Sequence, residues 1–308
     1  MVKILGIIGG GQLGSLLSLA AKKLNIKTVI FSDDEDAPGQ KFSDEFIYGK
    51  YYDQEKIDSF VNKVDLITFE FENIPYEILR KINSIKKVLP KPKINKIVQN
   101  RLTEKDFVNK FNIRTTSYVA VKNEKDLRSN VNLIPGILKT STLGYDGKGQ
   151  YRIDDIKEID KLNIDFKRKY ILEKTIKLKK EISIILTTFG HQKYEIYEPI
   201  ENHHQNQILK TSKIPAEISE KIYNQATDYA TIIADELNYM GTICIEYFID
   251  KNDNLYLNEI APRVHNSGHL TINSHNISQF ENHVRAICGM EKIKLKKLYD
   301  ANMINLIG

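Results

Sequence analysis

Cysteine is scarce. The 308 residues hold two, Cys244 and Cys288, far apart and in no C-x-x-C pair. That excludes a disulfide-stapled scaffold and favours a reducing compartment, so a cytoplasmic location is expected. Long apolar runs are missing as well. The opening M-V-K-I-L-G-I-I-G-G is short and lacks a signal h-region followed by a small-residue cleavage site. No run reaches bilayer-spanning length, and no membrane partner is expected. Blocks of one charge are absent too. The net charge is +5, but the lysines are scattered, which suits a solvated surface and no nucleic-acid partner. Walker A order, G-x-x-x-x-G-K-[ST], does not occur. What is present is a chain long enough for two or three subdomains, with 41% hydrophobic and 28% charged residues, a balance that suits a packed globular protein.

Lys3 to Ile8 is apolar and β-branched, the pattern of a buried parallel strand. Gly9-Gly10-Gly11-Gln12-Leu13-Gly14 follows. Then come apolar residues at helical spacing (Leu13, Leu16, Leu17, Ala20, Leu24) and a strand over Thr28 to Phe31. This unit carries G-x-G-x-x-G at Gly9, Gly11 and Gly14, with Asp33 where a ribose-binding acid would fall. Taken alone it points to a Rossmann-type NAD(P) oxidoreductase, although any anion can use a helix N-terminus reached through glycine. Asp65 to Phe69 reads as another strand. It runs into Glu70-Phe71-Glu72-Asn73-Ile74-Pro75 and a Pro-started helix from Tyr76 to Ile82. The two acids are either a solvated strand end or a functional pair. Leu89-Pro90-Lys91-Pro92 marks a break, and Ile94 to Lys110 is one helix by period.

The middle of the chain turns on Lys139 to Tyr151, K-T-S-T-L-G-Y-D-G-K-G-Q-Y. Apolar flanks suggest strand, glycine-rich loop, strand. Gly144, Gly147 and Gly149 lack a Cβ, so the loop can lay N–H groups on an anion flanked by Lys139 and Lys148. An ordinary hairpin with a basic tip has the same pattern. Tyr170 to Ile176 reads as a strand ending in a linker, and Glu181 begins the next strand. Tyr197 to Gln205 reads as a polar turn. Its His203-His204 pair invites a metal reading, but no cysteine or metal-spaced histidine is near in sequence. Ser219 to Leu237 is one long helix.

Downstream, T-I-C-I-E-Y-F-I-D-K-N-D-N-L-Y-L-N-E-I-A-P-R carries two β-rich runs around Lys251 to Asn254. A two-residue turn at Asn252-Asp253 predicts Phe248 opposite Leu257 and Glu246 opposite Glu259. Alternation then puts Cys244, Glu246 and Phe248 on one face with Leu257 and Glu259, and sends Asn258 to the other. Two acids opposed on an apolar face repel, so a cation is expected between them. Magnesium fits, being oxygen-liganded and usually held by one or two carboxylates plus phosphates. On a wet face the pair would need no ion. Pro262 and Gly268 argue for a loop, so His265 and His269 do not share a helix face for zinc. Arg263 offers a bidentate fork to a carboxylate-like anion, and His265 and Asn266 add donors. Thr271 to Ile287 reads as a closing helix.

G-Y-D-G-K-G-Q (residues 144–150) and N-E-I-A-P-R-V-H-N-S-G-H (residues 258–269) resemble the ATP-grasp superfamily. The wording is closest to the N5-carboxyaminoimidazole ribonucleotide synthetases of purine biosynthesis, and the likeness runs from Gly9 to Gly308. It implies an ATP-grasp fold, α/β and α+β, preceded by an open parallel α/β (pre-ATP-grasp) domain. Residues 1–100 would form the acceptor-side domain and 101–290 the ATP-grasp domain, with a small lobe over about 115–175 and a large lobe over about 176–290. Residues 291–308 would begin a C-terminal subdomain that related enzymes usually carry in full. The resemblance implies ATP and Mg2+ as cofactors, 5-aminoimidazole ribonucleotide and bicarbonate as substrates, and a homodimer. ATP contacts fall on Arg101, Lys139, Gly144, Tyr145, Asp146, Gly147, Lys148, Gly149, Gln150, Glu173, Lys174, Thr175, Ile176, Glu181, His204, Asn258 and Glu259. Glu173 to Ile176 would read the adenine edge through the backbone, and Glu181 the ribose hydroxyls. Gly11, Gln12, Leu13 and Glu72 would line the acceptor site, and Glu246 and Glu259 would hold the metal. Arg263, His265 and Asn266 would hold bicarbonate, with Asp146 a candidate for the base that takes the amine proton. Three rival readings remain. Another ATP-grasp carboxylase or ligase is opposed by the R-x-H-N-S-G-H string. The oxidoreductase leaves the Lys139 loop and the opposed acids unexplained. The third is a non-catalytic nucleotide-binding remnant.

Overall fold

Apolar on both faces, β1 (Ile4–Ile8) lies inside a parallel sheet, as its sequence predicts. The computed structural model describes residues 2–142, 149–206 and 208–306. α1 (Gln12–Lys23) returns the chain to β2 (Lys27–Ser32). β3 (Glu45–Tyr48), a strand the sequence reading did not anticipate, pairs beside β2. α2 (Gln54–Lys63) leads to β4 (Leu66–Phe69) on the far side of β1, giving the order β3-β2-β1-β4. Glu70 and Glu72 therefore follow the carboxyl end of a parallel strand, the edge where open α/β sheets bind ligands. α3 (Tyr76–Ile85) starts after Pro75. Where one helix was predicted there are two, α4 (Pro92–Val98) and α5 (Arg101–Asn109). Asn100 makes the break: its side chain accepts the N–H groups of Leu102 and Thr103 and caps α5.

A small antiparallel sheet follows. It is built from β5 (Tyr118–Val121), β6 (Gly136–Thr140), β7 (Gln150–Ile153) and β8 (Tyr170–Lys174), with α6 (Glu124–Ser129) packed beside it. Its order is β5-β8-β6-β7, and the β6–β7 pairing is the hairpin expected around Lys139.

The third sheet has seven strands: β9 (Leu178–Thr188), β10 (Tyr194–Ile196), β11 (Ile200–Gln205), β12 (Ile208–Ile214), β13 (Gly241–Asp250), β14 (Leu255–Ala261) and β15 (Ala301–Ile304). They run β14-β13-β9-β11-β12-β15, with β10 paired to β9. Two expectations are corrected here. Ile200 to Gln205 is a strand and not a polar turn, because β9 and β12 pair with it on both sides. Glu181 lies inside β9, which starts at Leu178. α7 (Glu220–Glu236) packs Ile222, Ala226 and Ile233 on the sheet's Ile184, Ile243 and Ile245. The closing helix is also two, α8 (Thr271–Ser274) and α9 (Gln279–Ile287), with Ser278 capping the second through the Glu281 N–H at 3.2 Å. Phe280, Val284 and Ile287 of α9 share one core with Leu13 and Leu17 of α1. That contact joins the first sheet to the third. Among the described residues no helix is long and apolar enough to cross a membrane.

Candidate active site

Glu246 faces Glu259 across β13 and β14, as predicted, but the chain reaches that pairing by another route. At the turn Phe248 pairs with Tyr256, not with Leu257. Asp250 shapes this turn by accepting the N–H groups of Asn252 at 2.8 Å and Asn254 at 2.9 Å. A bulge at Glu246/Tyr247 then moves the register back by one residue and leaves Asn258 unopposed. The two offsets cancel at Glu246. The bulge overturns part of the face assignment: Leu257 pairs with Tyr247, and both lie in the core under α7, while Cys244 belongs to a different cluster. Asn258 is the bulged residue, so strict alternation does not fix its direction.

Burial and the facing Glu259 raise the Glu246 carboxyl to about 8. Arg101, the first residue of α5, places Nη1 3.4 Å from Glu259 Oε2. Burial works against its cation, but Glu259, Glu173 and Glu104 outweigh that and raise it further. On β11, His204 Nδ1 lies 2.5 Å from Glu181 Oε2, so two predicted nucleotide contacts meet. Burial would lower this histidine, yet its bond to Glu181 raises it. That pairing explains His204 without a metal, and His203 is exposed.

Lys139 and Glu173 also meet, at 3.0 Å. The partner the sequence reading missed is Lys105, fully buried on α5, with Nζ 3.6 Å from the other Glu173 oxygen. Burial opposes the charge on Glu173, but the two lysines hold its carboxyl down to about 2. Its side chain is thus a buried counter-ion, beyond the backbone role expected. The backbone reading itself is narrowed. Lys174 N–H donates to Ser117 O at 2.9 Å and Thr175 N–H to Pro135 O at 3.0 Å, so neither donor is left for an adenine edge. Ile176 is half-buried beyond them. Gly149 at φ 73° and Gln150 opposite Lys139 close the hairpin. Gly144, Tyr145, Asp146, Gly147 and Lys148 lie outside the described residues.

On the acceptor side the glycine loop is already engaged. The Glu70 carboxylate accepts Gly11 N–H at 2.6 Å and Gly14 N–H at 2.9 Å, closing the N-terminus of α1. A Cβ on Gly14 would sit 2.7 Å from Gly9 O, so the loop needs glycine there to approach the helix. A dinucleotide phosphate would have to displace a buried carboxylate, which counts against the oxidoreductase reading. Gln12 is exposed, while Leu13 packs in the α1 core and offers the cleft only its backbone. Glu72 is bonded to Arg263 Nε, joining two residues assigned to different substrates. Burial would raise Glu72, but Arg263 outweighs it and holds the carboxyl below its ordinary range. Arg263 Nη1 also donates to Val264 O at 2.9 Å.

His265 to His269 is a loop with a 3-10 turn over Asn266–Leu270, not an α-helix, as Pro262 and Gly268 suggest. Gln279 clamps it, accepting His265 N–H at 3.0 Å and donating to His265 O at 2.6 Å. Burial and Arg263 push His265 down to about 3, so the ring is neutral, with Nε2 3.6 Å from Glu246 Oε1. Asn266 is exposed at the turn's start, and His269 tilts over Phe280 at 5.7 Å.

Glu104 was missed as well. It is buried, accepts Ile260 N–H at 2.7 Å, and is raised to about 8 by burial and by Glu259. Nothing in R-L-T-E-K separates a buried charge from a surface one. Only the E-x-E spacing hinted at Glu70.

Among the described residues no three His, Cys, Asp or Glu side chains gather to hold a metal by themselves. Glu246 and Glu259 supply two carboxylates, one buried and one 40% exposed, with Glu259 raising the cost of charge on Glu246. That donor set fits magnesium completed by phosphate oxygens and suits no all-protein metal cage.

Two family models match this chain: a ribonucleotide synthetase preATP-grasp domain over residues 1–99 and an ATP-grasp domain over residues 106–280. The N5-carboxyaminoimidazole ribonucleotide synthase of Bacillus subtilis strain 168 is 35% identical, covering 99% of this chain and 81% of its own length. The enzyme of the same name from Staphylococcus haemolyticus is 37% identical, with 99% and 82% covered. Among solved structures, the Staphylococcus aureus N5-carboxyaminoimidazole synthetase complexed with ADP superposes with a TM-score of 0.93 at 34% identity, covering 99% and 82%. The Aspergillus clavatus synthase in complex with ADP and 5-aminoimidazole ribonucleotide does so with 0.90 at 25%, covering 99% and 82%.

Proposed function

The chain belongs to the N5-carboxyaminoimidazole ribonucleotide synthase family of ATP-grasp ligases, and from that premise we infer how its own residues divide the work. It is an ATP-dependent ligase that carboxylates 5-aminoimidazole ribonucleotide in purine biosynthesis, using ATP with Mg2+. The observation that carries the assignment of roles is the opposed pair Glu246 and Glu259, set beside Arg101 and His204.

Glu181, oriented by His204, accepts from the ribose hydroxyls of ATP. Arg101 and Lys139 offset charge on the phosphates, as do the loop residues Gly144 to Gln150. Glu246 and Glu259, with Asn258 beside them, would hold magnesium, which would offset their facing negative charges and those of the phosphates. Arg263, His265 and Asn266 hold bicarbonate, which attacks the γ-phosphate to give carboxyphosphate and ADP. Glu72 orients Arg263 and faces the acceptor, which rests on Gly11, Gln12 and the Leu13 backbone. The exocyclic amine then attacks the activated carbon, or carbon dioxide released from it; the carbon–oxygen bond to phosphate breaks, inorganic phosphate leaves, and Asp146 is the candidate base for the amine proton. Residues 1–100 act as the acceptor-side unit, 101–290 as the grasp, and 291–308 as the start of a further unit. A homodimer and a cytoplasmic location complete the proposal, the first supported by the family resemblance and the second by the scarcity of cysteine.

Labelled bicarbonate tests it. With ATP and magnesium, label should enter an acid-labile carbamate only when the ribonucleotide is present, with ADP forming in step. Steady ADP formation with no carbamate would remove the acceptor assignment.

A further inference from the structure

His265 Nδ1 is an acceptor. It receives the backbone N–H of Ser267 at 3.3 Å, and an amide nitrogen can only give its hydrogen. Nδ1 therefore carries a lone pair, and the ring's single hydrogen sits on Nε2. The Ser267 hydroxyl reaches the same Nδ1 at 2.9 Å and begins a buried chain. Ser267 Oγ lies 2.8 Å from Ser183 Oγ. Asn202 Nδ2 donates to Ser183 Oγ at 3.1 Å, and Ser212 Oγ donates to Asn202 Oδ1 at 2.8 Å. The Nδ1 lone pair sets the direction, since it takes the one hydroxyl hydrogen of Ser267 and leaves that oxygen to accept from Ser183. Ser183 accepts from Asn202 and passes its own hydrogen to Ser267, which passes its hydrogen to His265. The sheet delivers these groups side by side: Ser183 is the cross-strand neighbour of Glu246, and Ser212 that of Asn202. All four members are buried, and the hydrogen bonds from Ser212 to His265 all run one way.

We propose that the Ser212–Asn202–Ser183–Ser267 chain fixes His265 as its Nε2–H tautomer, making it a hydrogen-bond donor to the anion beside Glu246 and not the base for the substrate amine. Nε2 already holds a proton, and the Nδ1 lone pair is engaged. Ser267 is the positioning residue. The donor role rests on the functional reading above; the tautomer does not.

Nitrogen-15 spectra of the full chain labelled at histidine test the tautomer directly, with His265 identified by the signal lost in His265→Asn. At neutral pH, Nδ1 should resonate as an unprotonated nitrogen and Nε2 as a protonated one. Ser267→Ala keeps the backbone bond and loses the hydroxyl. With only the longer backbone bond left on Nδ1, part of the population should shift to the Nδ1–H tautomer and kcat should fall about tenfold, the cost of one buried hydrogen bond, with KM for ATP unchanged. Ser267→Thr, which restores a hydroxyl, should recover most of the rate. A protonated Nδ1 in the unsubstituted chain would overturn the proposal. So would Ser267→Ala with tautomer and kcat both unaltered. An Nε2–H signal in a chain without ribonucleotide-dependent turnover would uphold the tautomer and sink the functional reading it serves.

Discussion

Glu173 stays ionised in the interior because Lys105 and Lys139 flank it. Removing it would leave two buried ammonium groups with no counter-charge between them. Glu173→Ala should therefore cost about 3–5 kcal/mol of stability, read as a lower urea midpoint. An unchanged midpoint would show that the lysines find other partners. His283 makes the complementary case. Its Nδ1 accepts Thr242 N–H at 3.0 Å, so Nε2–H donates to Thr68 Oγ1 at 2.9 Å, and burial pushes the ring down to about 3. The unfolded chain takes up this proton first, near pH 6.5. Stability from the neutral ring is thus complete above about pH 6.5 and is lost as pH falls toward about 3. The melting temperature should fall across that window, and less steeply in His283→Gln. Equal slopes in the two proteins would remove His283 as a cause.

At the scale of elements, the active-site pairing depends on a turn and a bulge that cancel. Inserting one glycine between Leu257 and Asn258 would leave the turn in place and, with one residue still bulged, bring Asn258 opposite Glu246. Glu259 then shifts by one residue and turns from Glu246. The variant should keep its far-ultraviolet circular dichroism and lose magnesium-dependent ATP turnover. Retained turnover would mean that the register does not set the site. The same elements show what was legible in the sequence. The period of two in T-I-C-I-E and L-Y-L-N-E revealed both strands, and the family resemblance pointed to Arg101, Glu181, His204 and Arg263, each of which meets another residue singled out in the sequence. The bulge left no sequence mark, since Asn258 is as ordinary in a strand end as in a bulge. The breaks at Asn100 and Ser278 each rest on one capping side chain, which a helical period does not register. β11 was hidden because its side chains are polar: Asn202 and His204 serve internal bonds, while the backbone pairs as any strand does. Glu70, Glu104 and Lys105 were missed because burial of a charge is decided by tertiary neighbours.

Across the whole molecule, ion pairs link the surroundings of the three sheets: Glu173 to Lys105, Arg101 to Glu259 and Glu72 to Arg263. α1 and α9 share a core, Thr68 is bonded to His283, and Glu72 is paired with Arg263, and these contacts tie the side of the first sheet to that of the third. Glu70 fills the glycine loop that would otherwise suit a dinucleotide. Titration with NADH should accordingly give no saturable fluorescence change, and a saturable one would revive the oxidoreductase. The central claim is that Glu246 and Glu259 together hold the cation that the nucleotide phosphates require. Its most direct test is the magnesium dependence of ADP release driven by 5-aminoimidazole ribonucleotide, in the unsubstituted chain and in Glu259→Ala. The account predicts saturable magnesium activation in the first and a loss of about a hundredfold in the second, with weaker magnesium response. Equal rates and equal magnesium dependence in the two would contradict it.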